Sequence, residues 1–409
     1  MSETHLIVGG GLAAGKAAEA MREEGFDGRI VLVTAESERP YERPPLSKEY
    51  LRGEAGREKI YVHEESWYAE HDVELRVGEK VTALDAAGSV ATLGSGEELH
   101  YDRALLATGA EPRRLNVPGA DLDGVHLLRS VDDSDALRER LEAGGKLVVV
   151  GGGWIGCEVA ASARQRGLAV TLVEPLELPL LRVLGPEIGR VFYDVHRDHG
   201  VEMLTGTGLE SFVGDGSLRA VRTSDGREIE ADFAVVGVGV VPRTQLAESA
   251  GLDVGDGIEV HANLRTSVPT IFAAGDVASQ RHPRYDERVR VEHWANALNQ
   301  GAAAGRAMAG ADVAYDRIPY FFSDQYDVGM EYSGLPGPDD ELVVRGELGS
   351  AGFVAFWWYG GRVTAGLNLN VWDVTEPIGE LIRSRAIVER EALADPDTPL
   401  ESLVGSAAG

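Results

Sequence analysis

The sequence predicts an α/β protein with two Rossmann-like dinucleotide-binding domains and a C-terminal α+β domain. Three observations carry this prediction: a strand, glycine turn and helix that occur twice; a second buried strand ending in an acid after each copy; and an apolar strand that closes in Gly-x-x-Pro-Arg further downstream. Because the order of elements is the same in both copies, we expect two nucleotide-binding domains of one design.

The first copy reads HLIVGGGLAAGKAAEAMRE and the second reads KLVVVGGGWIGCEVAASARQ. In such a turn the first glycine permits the tight bend, the second lets the backbone approach a pyrophosphate, and the third allows the helix to pack closely on the strand. The three positions are Gly9, Gly11 and Ala14 in the first copy and Gly151, Gly153 and Gly156 in the second. A lone turn of this kind is weak evidence, whereas two in register predict dinucleotide binding.

An acid follows the second strand of each copy, Glu36 in the first and Glu174 in the second. A carboxylate there accepts hydrogen bonds from the ribose hydroxyls and repels a 2′-phosphate. Since residues 175–178 contain no arginine or lysine, Glu174 favours NADH over NADPH. The alternative is that Glu174 is only a solvated strand end.

A further buried strand ends in Gly275 and Asp276, whose carboxylate is a candidate for a ribitol hydroxyl, or else an Asx turn or helix cap. Two dinucleotide sites and this strand together suggest a flavin and a nicotinamide that react with each other. We predict a discontinuous FAD-binding domain over residues 1–112 and 248–325, an NAD-binding domain over 113–247, and a C-terminal domain with a tail over 326–409.

Composition excludes several functions. The chain has 67 acidic and 39 basic residues, a net charge of -28, which opposes binding to nucleic acid and anionic membranes. Apolar runs are too short to span a bilayer, and the first strand begins at His5 without a preceding signal segment, so we expect a cytoplasmic protein. His196 and His199 are expected on a solvated helix face, and no metal site is predicted.

The chain has one cysteine, Cys157, placed on the helix of the second copy. No disulfide or Cys-x-x-Cys pair can form, and a buried small side chain is the expected state of this thiol. Disulfide-reductase and cysteine-based oxidase chemistry are therefore disfavoured.

Six segments together resemble one family: TAESERPYERPPLSKEYL, LLATGAEPR, VVVGGGWIGCEVA, FAAGDVA, VEHWANALNQG and SDQY. They are similar to the FAD-dependent NADH:ferredoxin reductases that serve bacterial cytochrome P450s and ring-hydroxylating dioxygenases. Rubredoxin reductases are close relatives, and the wider group is the glutathione-reductase-like flavoproteins. The resemblance covers residues 6–385.

The resemblance implies roles for named residues. Lys48 and Glu158 form the catalytic pair, with Lys48 near flavin N5. The FAD is bound by Gly9, Gly11, Leu12, Ala13, Ala14, Glu36, Arg43, Lys48, the backbone of Val81, Ala107, Thr108, Gly109, Arg129, Gly275, Asp276, Glu292, His293 and Trp294. The NADH is bound by Gly151, Gly153, Trp154, Ile155, Gly156, Glu158, Glu174, Arg182, Val238 and Gly239.

One position departs from the family pattern. Members often carry a tryptophan before Ser-Asp-Gln, and this chain has Phe322 there, so the ring is kept but the indole N–H donor is lost. Trp357, Trp358 and Trp372 either wall the flavin ring or pack in the C-terminal core.

The implied partner is an acidic iron-sulfur ferredoxin, which Arg306 is our candidate to contact. No nucleic acid or membrane partner is expected, and the protein is expected to be a monomer or weak dimer. Two alternatives remain open at this point: a rubredoxin reductase, and an NADH-responsive redox sensor resembling apoptosis-inducing factors.

Overall fold

The computed structural model describes residues 3–404. Its strands are β1 Thr4–Val8, β2 Arg29–Thr34, β3 Val73–Val77, β4 Val81–Asp85, β5 Val90–Leu93, β6 Glu98–His100, β7 Arg103–Leu106, β8 Ala110–Pro112, β9 Val125–His126, β10 Lys146–Val150, β11 Ala169–Glu174, β12 Glu202–Thr205, β13 Leu209–Asp215, β14 Ser217–Thr223, β15 Glu228–Glu230, β16 Phe233–Val236, β17 Val240–Pro242, β18 Val254–Gly255, β19 Gly257–Val260, β20 Ile271–Ala273, β21 Ala278–His282, β22 Glu287–Val289, β23 Tyr320–Gln325, β24 Val328–Gly334, β25 Glu341–Arg345, β26 Phe353–Tyr359 and β27 Arg362–Leu369.

The α-helices are α1 Leu12–Glu23, α2 Glu65–Glu70, α3 Val131–Ala143, α4 Trp154–Gln165, α5 Leu181–Asp198, α6 Gln245–Ser249, α7 Trp294–Ala309, α8 Thr375–Ser384, α9 Arg390–Ala394 and α10 Leu400–Val404. Within residues 3–404, no helix has both the length and the apolar character needed to cross a bilayer.

The first of two compact units comprises residues up to Pro44, Gly56–Glu111 and Val240–Arg317. Its main sheet is parallel, in the order β20-β7-β1-β2-β3. The central strand β1 pairs Ile7 with Leu32 on one side and with Leu105 on the other. These side chains are fully buried, as expected for a parallel sheet covered on both faces. The same unit holds a separate antiparallel sheet, β4-β5-β6.

The second unit comprises Pro45–Ala55, Pro112–Gly239 and the residues from Ile318 onward. Its parallel sheet, β12-β11-β10-β16-β9, repeats the first design, because β10 pairs Val149 with Leu172 and with Val235. The unit also holds a separate antiparallel sheet, β23-β24-β27-β26-β25, which α8 packs against. This combination of parallel and antiparallel sheets with helices matches the predicted fold class.

Three segments group differently from the predicted domain boundaries. One is residues 240–247, which lie inside the predicted residues 113–247 but belong to the first unit. Pro45–Ala55, which lies inside the predicted residues 1–112, packs with the second unit, where the Ser134 hydroxyl donates to the Leu46 carbonyl at 2.8 Å. Strand β23 belongs to the C-terminal sheet although it precedes residue 326, because it pairs along its whole length with β24. The division into three domains otherwise stays a prediction.

Candidate functional site

The two glycine turns have the same stereochemistry. Gly9 and Gly151 have φ of +135° and +106°, which favour glycine. A Cβ on Gly9 would lie 2.1 Å from the Ala107 carbonyl oxygen, and one on Gly151 would lie 2.4 Å from that of Gly237. The first glycine of each turn is therefore required by both its backbone angle and its surroundings.

The second glycine of each turn faces open space instead. A Cβ on Gly11 would have nothing within 4 Å, and one on Gly153 would meet only a carbonyl oxygen at 3.9 Å. At the third position a Cβ on Gly156 would lie 1.9 Å from the Gly151 oxygen, whereas the fully buried Ala14 is accommodated in the first turn. Space at the second position lets a pyrophosphate approach the backbone, and the small residue at the third position lets the helix pack closely on the strand.

Helices α1 and α4 start at these turns without a side chain that caps their first N–H groups. Their N-caps are Gly11 and Gly153, neither of which offers a side-chain cap, and no acid lies in either first turn. The backbone N–H groups that open each helix thus have no side-chain acceptor and can bind an anion, which the helix dipole favours. Together with the open second glycine, this arrangement fits the pyrophosphate of a dinucleotide in each unit.

Glu174 is not a solvated strand end, because its side chain is buried at the end of β11. One carboxylate oxygen accepts the Gly152 N–H at 2.6 Å and the other accepts the Leu176 N–H at 2.9 Å. Each carboxylate oxygen has further acceptor capacity. The acid is thus held beside the glycine turn in one orientation, as the predicted contact with ribose requires.

Glu36 lies in a polar cluster of the first unit. Its carboxylate accepts hydrogen bonds from the Tyr41 hydroxyl and from Arg43 Nη2, the latter at 2.9 Å. Burial alone would raise the pKa of Glu36, but the Arg43 guanidinium and the Tyr41 hydroxyl lower it below its ordinary value. The charged carboxylate and Arg43, both predicted FAD ligands, are therefore brought together.

The turn that carries Gly275 and Asp276 is held by a residue that sequence reasoning missed. Gln300 on α7 is buried, and its Oε1 accepts the Gly275 N–H at 3.0 Å. Gly275 has a φ of +80°, and a Cβ there would lie 3.2 Å from that of Ala13 in the first glycine turn. Gly275 and the glycine turn are thus neighbours, as binding of one dinucleotide by both requires.

The other predicted FAD residues lie at the ends of strands and helices in the first unit, except Arg129, which belongs to the second. The Thr108 hydroxyl donates to the Arg243 carbonyl at 2.8 Å, and Arg243 N–H donates to Gly109 at 2.9 Å, next to Ala107 at the end of β7. Val81 opens β4, Leu12 and Ala13 open α1, and Glu292, His293 and Trp294 precede or begin α7. Burial lowers the pKa of His293 to about 4. Arg129 lies in the second unit, directly before the Ser130 cap of α3.

Lys48 and Glu158 form a buried ion pair in the second unit. Lys48 Nζ lies 2.8 Å from Glu158 Oε2, and the two side chains are 8% and 5% exposed. The Ser47 hydroxyl donates to the same oxygen at 2.5 Å, and the Ser323 hydroxyl donates to Oε1 at 2.7 Å. The carboxylate thus receives three charge-assisted hydrogen bonds that compensate its burial.

Strand β23 supplies the surroundings of this pair. Phe321 packs edge-on against Trp154 of α4 at 4.7 Å between ring centroids, and Lys48 Nζ lies 5.7 Å from the centroid of the Phe322 ring. Of the three tryptophans, Trp357 is buried against Tyr332 and the Trp358 indole donates to the Val388 carbonyl, as packing in the C-terminal core predicts. Trp372 is 58% exposed, so core packing is wrong for this residue. Contact of these side chains with the flavin stays a prediction. Ser47 and Ser323 were missed by sequence reasoning, although both lie in segments singled out for the resemblance.

The remaining NAD-site residues lie in three segments of the second unit. Ile155 in the first turn of α4 is 41% exposed, although it is apolar, and Arg182 is exposed at the start of α5. Gly239, with φ of +98°, and Val238 follow β16. Cys157 is fully buried, and burial raises the pKa of its thiol, which agrees with the expected unreactive side chain. Among residues 3–404, no group of three or more potential ligands is arranged to hold a metal.

The histidine prediction is wrong for His196. This side chain is fully buried on α5 because Gln325 and Tyr326 cover it with hydrogen bonds of 2.9 and 3.1 Å. His199 is exposed, as expected.

Comparison with known proteins identifies the family. Residues 3–301 match the model of the pyridine nucleotide-disulphide oxidoreductases, and residues 320–404 match that of a reductase C-terminal domain. The chain belongs to the pyridine nucleotide-disulphide oxidoreductase family. The fold class predicted from the duplicated turn and the family predicted from the six segments are confirmed.

Several known proteins are similar to this chain over nearly its whole length. The chain is 38% identical to the ferredoxin reductase subunit of 5,5′-dehydrodivanillate O-demethylase from Sphingobium sp., with 98% of each chain covered. It is 36% identical to putidaredoxin reductase from Pseudomonas putida, over 98% of this chain and 97% of that one. The crystal structure of a covalent putidaredoxin reductase–putidaredoxin complex matches with a TM-score of 0.96 at 35% identity, over 99% of each chain. Membership of this family implies FAD and NAD(H) as cofactors, which the two glycine turns fit.

Proposed function

We propose that this protein is an FAD-dependent NADH:ferredoxin reductase that supplies electrons to a cytochrome P450 or another oxygenase. The observation that carries the proposal is the presence of two open glycine turns of one design in a chain whose full-length relatives are named as ferredoxin reductases of oxygenase systems. When bound, FAD would accept two electrons from NADH and pass them on one at a time. The protein supplies binding, orientation and electrostatics.

The residues of the first unit would hold the FAD. Gly9, Gly11 and the N-terminus of α1 suit its pyrophosphate, while Glu36 suits the ribose and Asp276 the ribitol chain. The residues of the second unit would hold the NADH in the same way, with Glu174 oriented by the backbone of its own glycine turn. We infer a preference for NADH, since a 2′-phosphate next to this carboxylate would be repelled.

Lys48 is proposed to stabilise the negative charge that the reduced flavin carries. An ammonium group in a site with few water molecules acts more strongly than the same group in bulk water. Glu158 holds the Lys48 ammonium group in one place, because it lies 2.8 Å away and is itself held by two serine hydroxyls. Together these residues contribute electrostatics that are already organised before the substrate binds.

The electron acceptor is proposed to be an iron-sulfur ferredoxin, met in the cytoplasm. A rubredoxin reductase and an NADH-responsive sensor are the alternatives, and the absence of a second cysteine in the sequence disfavours thiol chemistry. Monomer or weak dimer stays our prediction for the assembly.

Steady-state oxidation of NADH tests the proposal. The holoenzyme should reduce [2Fe-2S] ferredoxin rapidly with NADH and much more slowly with NADPH; [4Fe-4S] and [3Fe-4S] ferredoxins and rubredoxin serve as competing acceptors. Fast turnover with rubredoxin alone would favour the first alternative. Slow oxidation with a long-lived charge-transfer complex and dimerisation on NADH addition would favour the sensor.

A further inference from the structure

A chain of buried hydrogen bonds connects Glu158 to helix α5. Beyond Ser323, the Oγ of that residue accepts from Gln325 Nε2 at 3.1 Å, and Gln325 Oε1 lies 2.9 Å from His196 Nε2. The other ring nitrogen of His196 lies 3.1 Å from the Tyr326 hydroxyl. Ser323, Gln325 and His196 are each at most 1% exposed, so water has little access to these groups.

The carboxylate at one end determines the direction of every bond in the chain. A charged carboxylate only accepts, so Ser323 must donate to Glu158 and use its lone pair to accept from the Gln325 amide nitrogen. The amide oxygen then faces His196, which therefore carries its proton on Nε2. The remaining nitrogen, Nδ1, accepts from the Tyr326 hydroxyl. Each dipole thus presents its positive end towards Glu158.

The properties of His196 agree with this direction. Burial lowers its pKa to about 4, so the imidazole is neutral at pH 7 and presents one donor and one acceptor. A neutral imidazole with the proton on Nε2 satisfies both neighbours.

Tyr326 has an unusual backbone conformation, which contacts of its side chain maintain. Its φ of 60° lies in the left-handed region, which is uncommon for a bulky residue, in the turn between β23 and β24. Its hydroxyl bonds His196, and its ring stacks on His199 with centroids 3.7 Å apart and planes 9° apart. Strain of this kind persists only where the surroundings determine the conformation.

We propose that Gln325, His196 and Tyr326 are positioning residues for Glu158, which act by holding Ser323 as the donor to its carboxylate. This orientation keeps the carboxylate oxygen Oε2 turned towards Lys48. The inference rests on the proposed function, because the contribution of Lys48 and Glu158 to reduction by NADH is part of it. None of the three residues touches the nicotinamide or the flavin in this scheme.

The kinetic test compares two substitutions at His196 with one at a matched histidine. His196→Phe removes both hydrogen bonds, whereas His196→Gln returns an amide N–H in place of Nε2–H. His5→Phe is the control. His5 is also fully buried, with a pKa lowered to about 4, but it lies in β1 and takes no part in the hydrogen bonds that lead to Glu158. Reduction of the holoenzyme by NADH, followed by stopped flow, gives the limiting rate constant and the NADH dissociation constant separately.

We expect His196→Phe to lower the limiting rate constant about three- to tenfold while the NADH dissociation constant changes less than twofold, as for loss of an interaction that matters mainly in the transition state. His196→Gln and His5→Phe should stay within about twofold of the parent protein. Equal rate constants for His196→Phe and His5→Phe would overturn the inference while leaving the proposed function intact. If the parent holoenzyme is not reduced by NADH, the proposed function fails instead, and with it the kinetic consequence.

A spectroscopic test does not depend on turnover. In protein labelled with ¹⁵N-histidine, the His196 signals should show the Nε2–H form from pH 6 to 8. Glu158→Gln should shift the Nε2–H resonance of His196 and leave that of His5 unchanged, and the shift should disappear in a Ser323→Ala background. If Glu158→Gln leaves the His196 resonance unchanged, His196 and Glu158 are not coupled. This result would refute the inference even if His196→Phe did not fold.

Discussion

Lys48 and Glu158 place opposite charges 2.8 Å apart where both are almost wholly removed from water. Breaking such a pair by removing one member leaves a buried charge, at a cost of about 3–5 kcal/mol. Loss of stability and loss of catalysis must therefore be separated experimentally.

The Lys48→Met substitution should slow reduction of the flavin by NADH about tenfold or more, because a fixed cation is lost. Lys48→Met combined with Glu158→Gln should recover much of the free energy of unfolding, since no charge is then left unpaired, but not the rate. Lys59→Met, at an exposed lysine, is the control. Stopped-flow reduction and urea unfolding give the two quantities, and an unchanged rate in Lys48→Met would remove the catalytic role.

At Glu174 we expect a change of cofactor preference. Glu174→Gln removes the charge that repels a 2′-phosphate, and it also places an N–H group against a backbone N–H, since both carboxylate oxygens accept from the backbone. The KM for NADH should rise about tenfold, and the ratio of kcat/KM for NADH to that for NADPH should fall. The exposed Glu177→Gln serves as the matched control and should leave this ratio unchanged.

At the scale of elements, the chain uses one strand–turn–helix design twice. The buried runs of β1 and β10 are local signals, as are the glycines that follow them, which is why these elements were predictable from sequence. Strand β23 was not predicted, because it is defined by its pairing with β24 and by the contact of its Ser323 with Glu158 of α4, the second of which joins residues far apart in sequence.

The open second glycine makes a specific prediction about α4. Gly153→Val places a side chain in free space next to the helix N-terminus, so the protein should fold and retain FAD, while its affinity for NADH falls about tenfold or more. Gly156→Val is the contrasting variant, since its side chain would meet the Gly151 carbonyl and should destabilise the fold. Isothermal titration with NADH and thermal unfolding distinguish the two, and full NADH affinity in Gly153→Val would contradict the assignment of this turn.

At the scale of the whole molecule, buried histidines predict how stability depends on pH. The pKa of His5 and that of His196 are each lowered from 6.5 to about 4, mainly by burial. Between pH 4 and pH 6.5 the unfolded chain binds more protons than the folded one, so lowering the pH favours unfolding. The contribution of each neutral, buried histidine to the free energy of unfolding is therefore complete above pH 6.5 and is lost as pH falls towards 4. Each of the two histidines accounts for up to about 3 kcal/mol of this change in the free energy of unfolding.

The free energy of unfolding in urea should therefore decrease from pH 7 to pH 5. His5→Phe should make this decrease shallower, because it removes one group that must take up a proton on unfolding. A slope that is the same in His5→Phe as in the parent protein would show that other groups control the acid response.

The net charge of -28 bears on how an acidic ferredoxin is recognised. The field of the whole molecule opposes association, so local cations must compensate. Arg306 on α7 makes no ion pair with any residue in the part of the chain that the structure describes. Arg306→Glu should raise the KM for ferredoxin several-fold and change its dependence on ionic strength. Arg317→Glu alters net charge equally, and identical kinetics in the two variants would exclude a specific contact at Arg306.

The sequence by itself determined the repeated nucleotide-binding design, the candidate acids and the unlikelihood of thiol chemistry, because glycine turns, buried strands and residue counts are local or compositional properties. Only the tertiary structure decided which polar groups meet in the interior. Ser323 and Glu158 are separated by 165 residues, and Ser47 and Glu158 by 111, yet both hydroxyls bond one carboxylate. Since buried polar groups must find partners wherever the fold brings them, the pairing around Glu158 depends on packing and carries no local pattern.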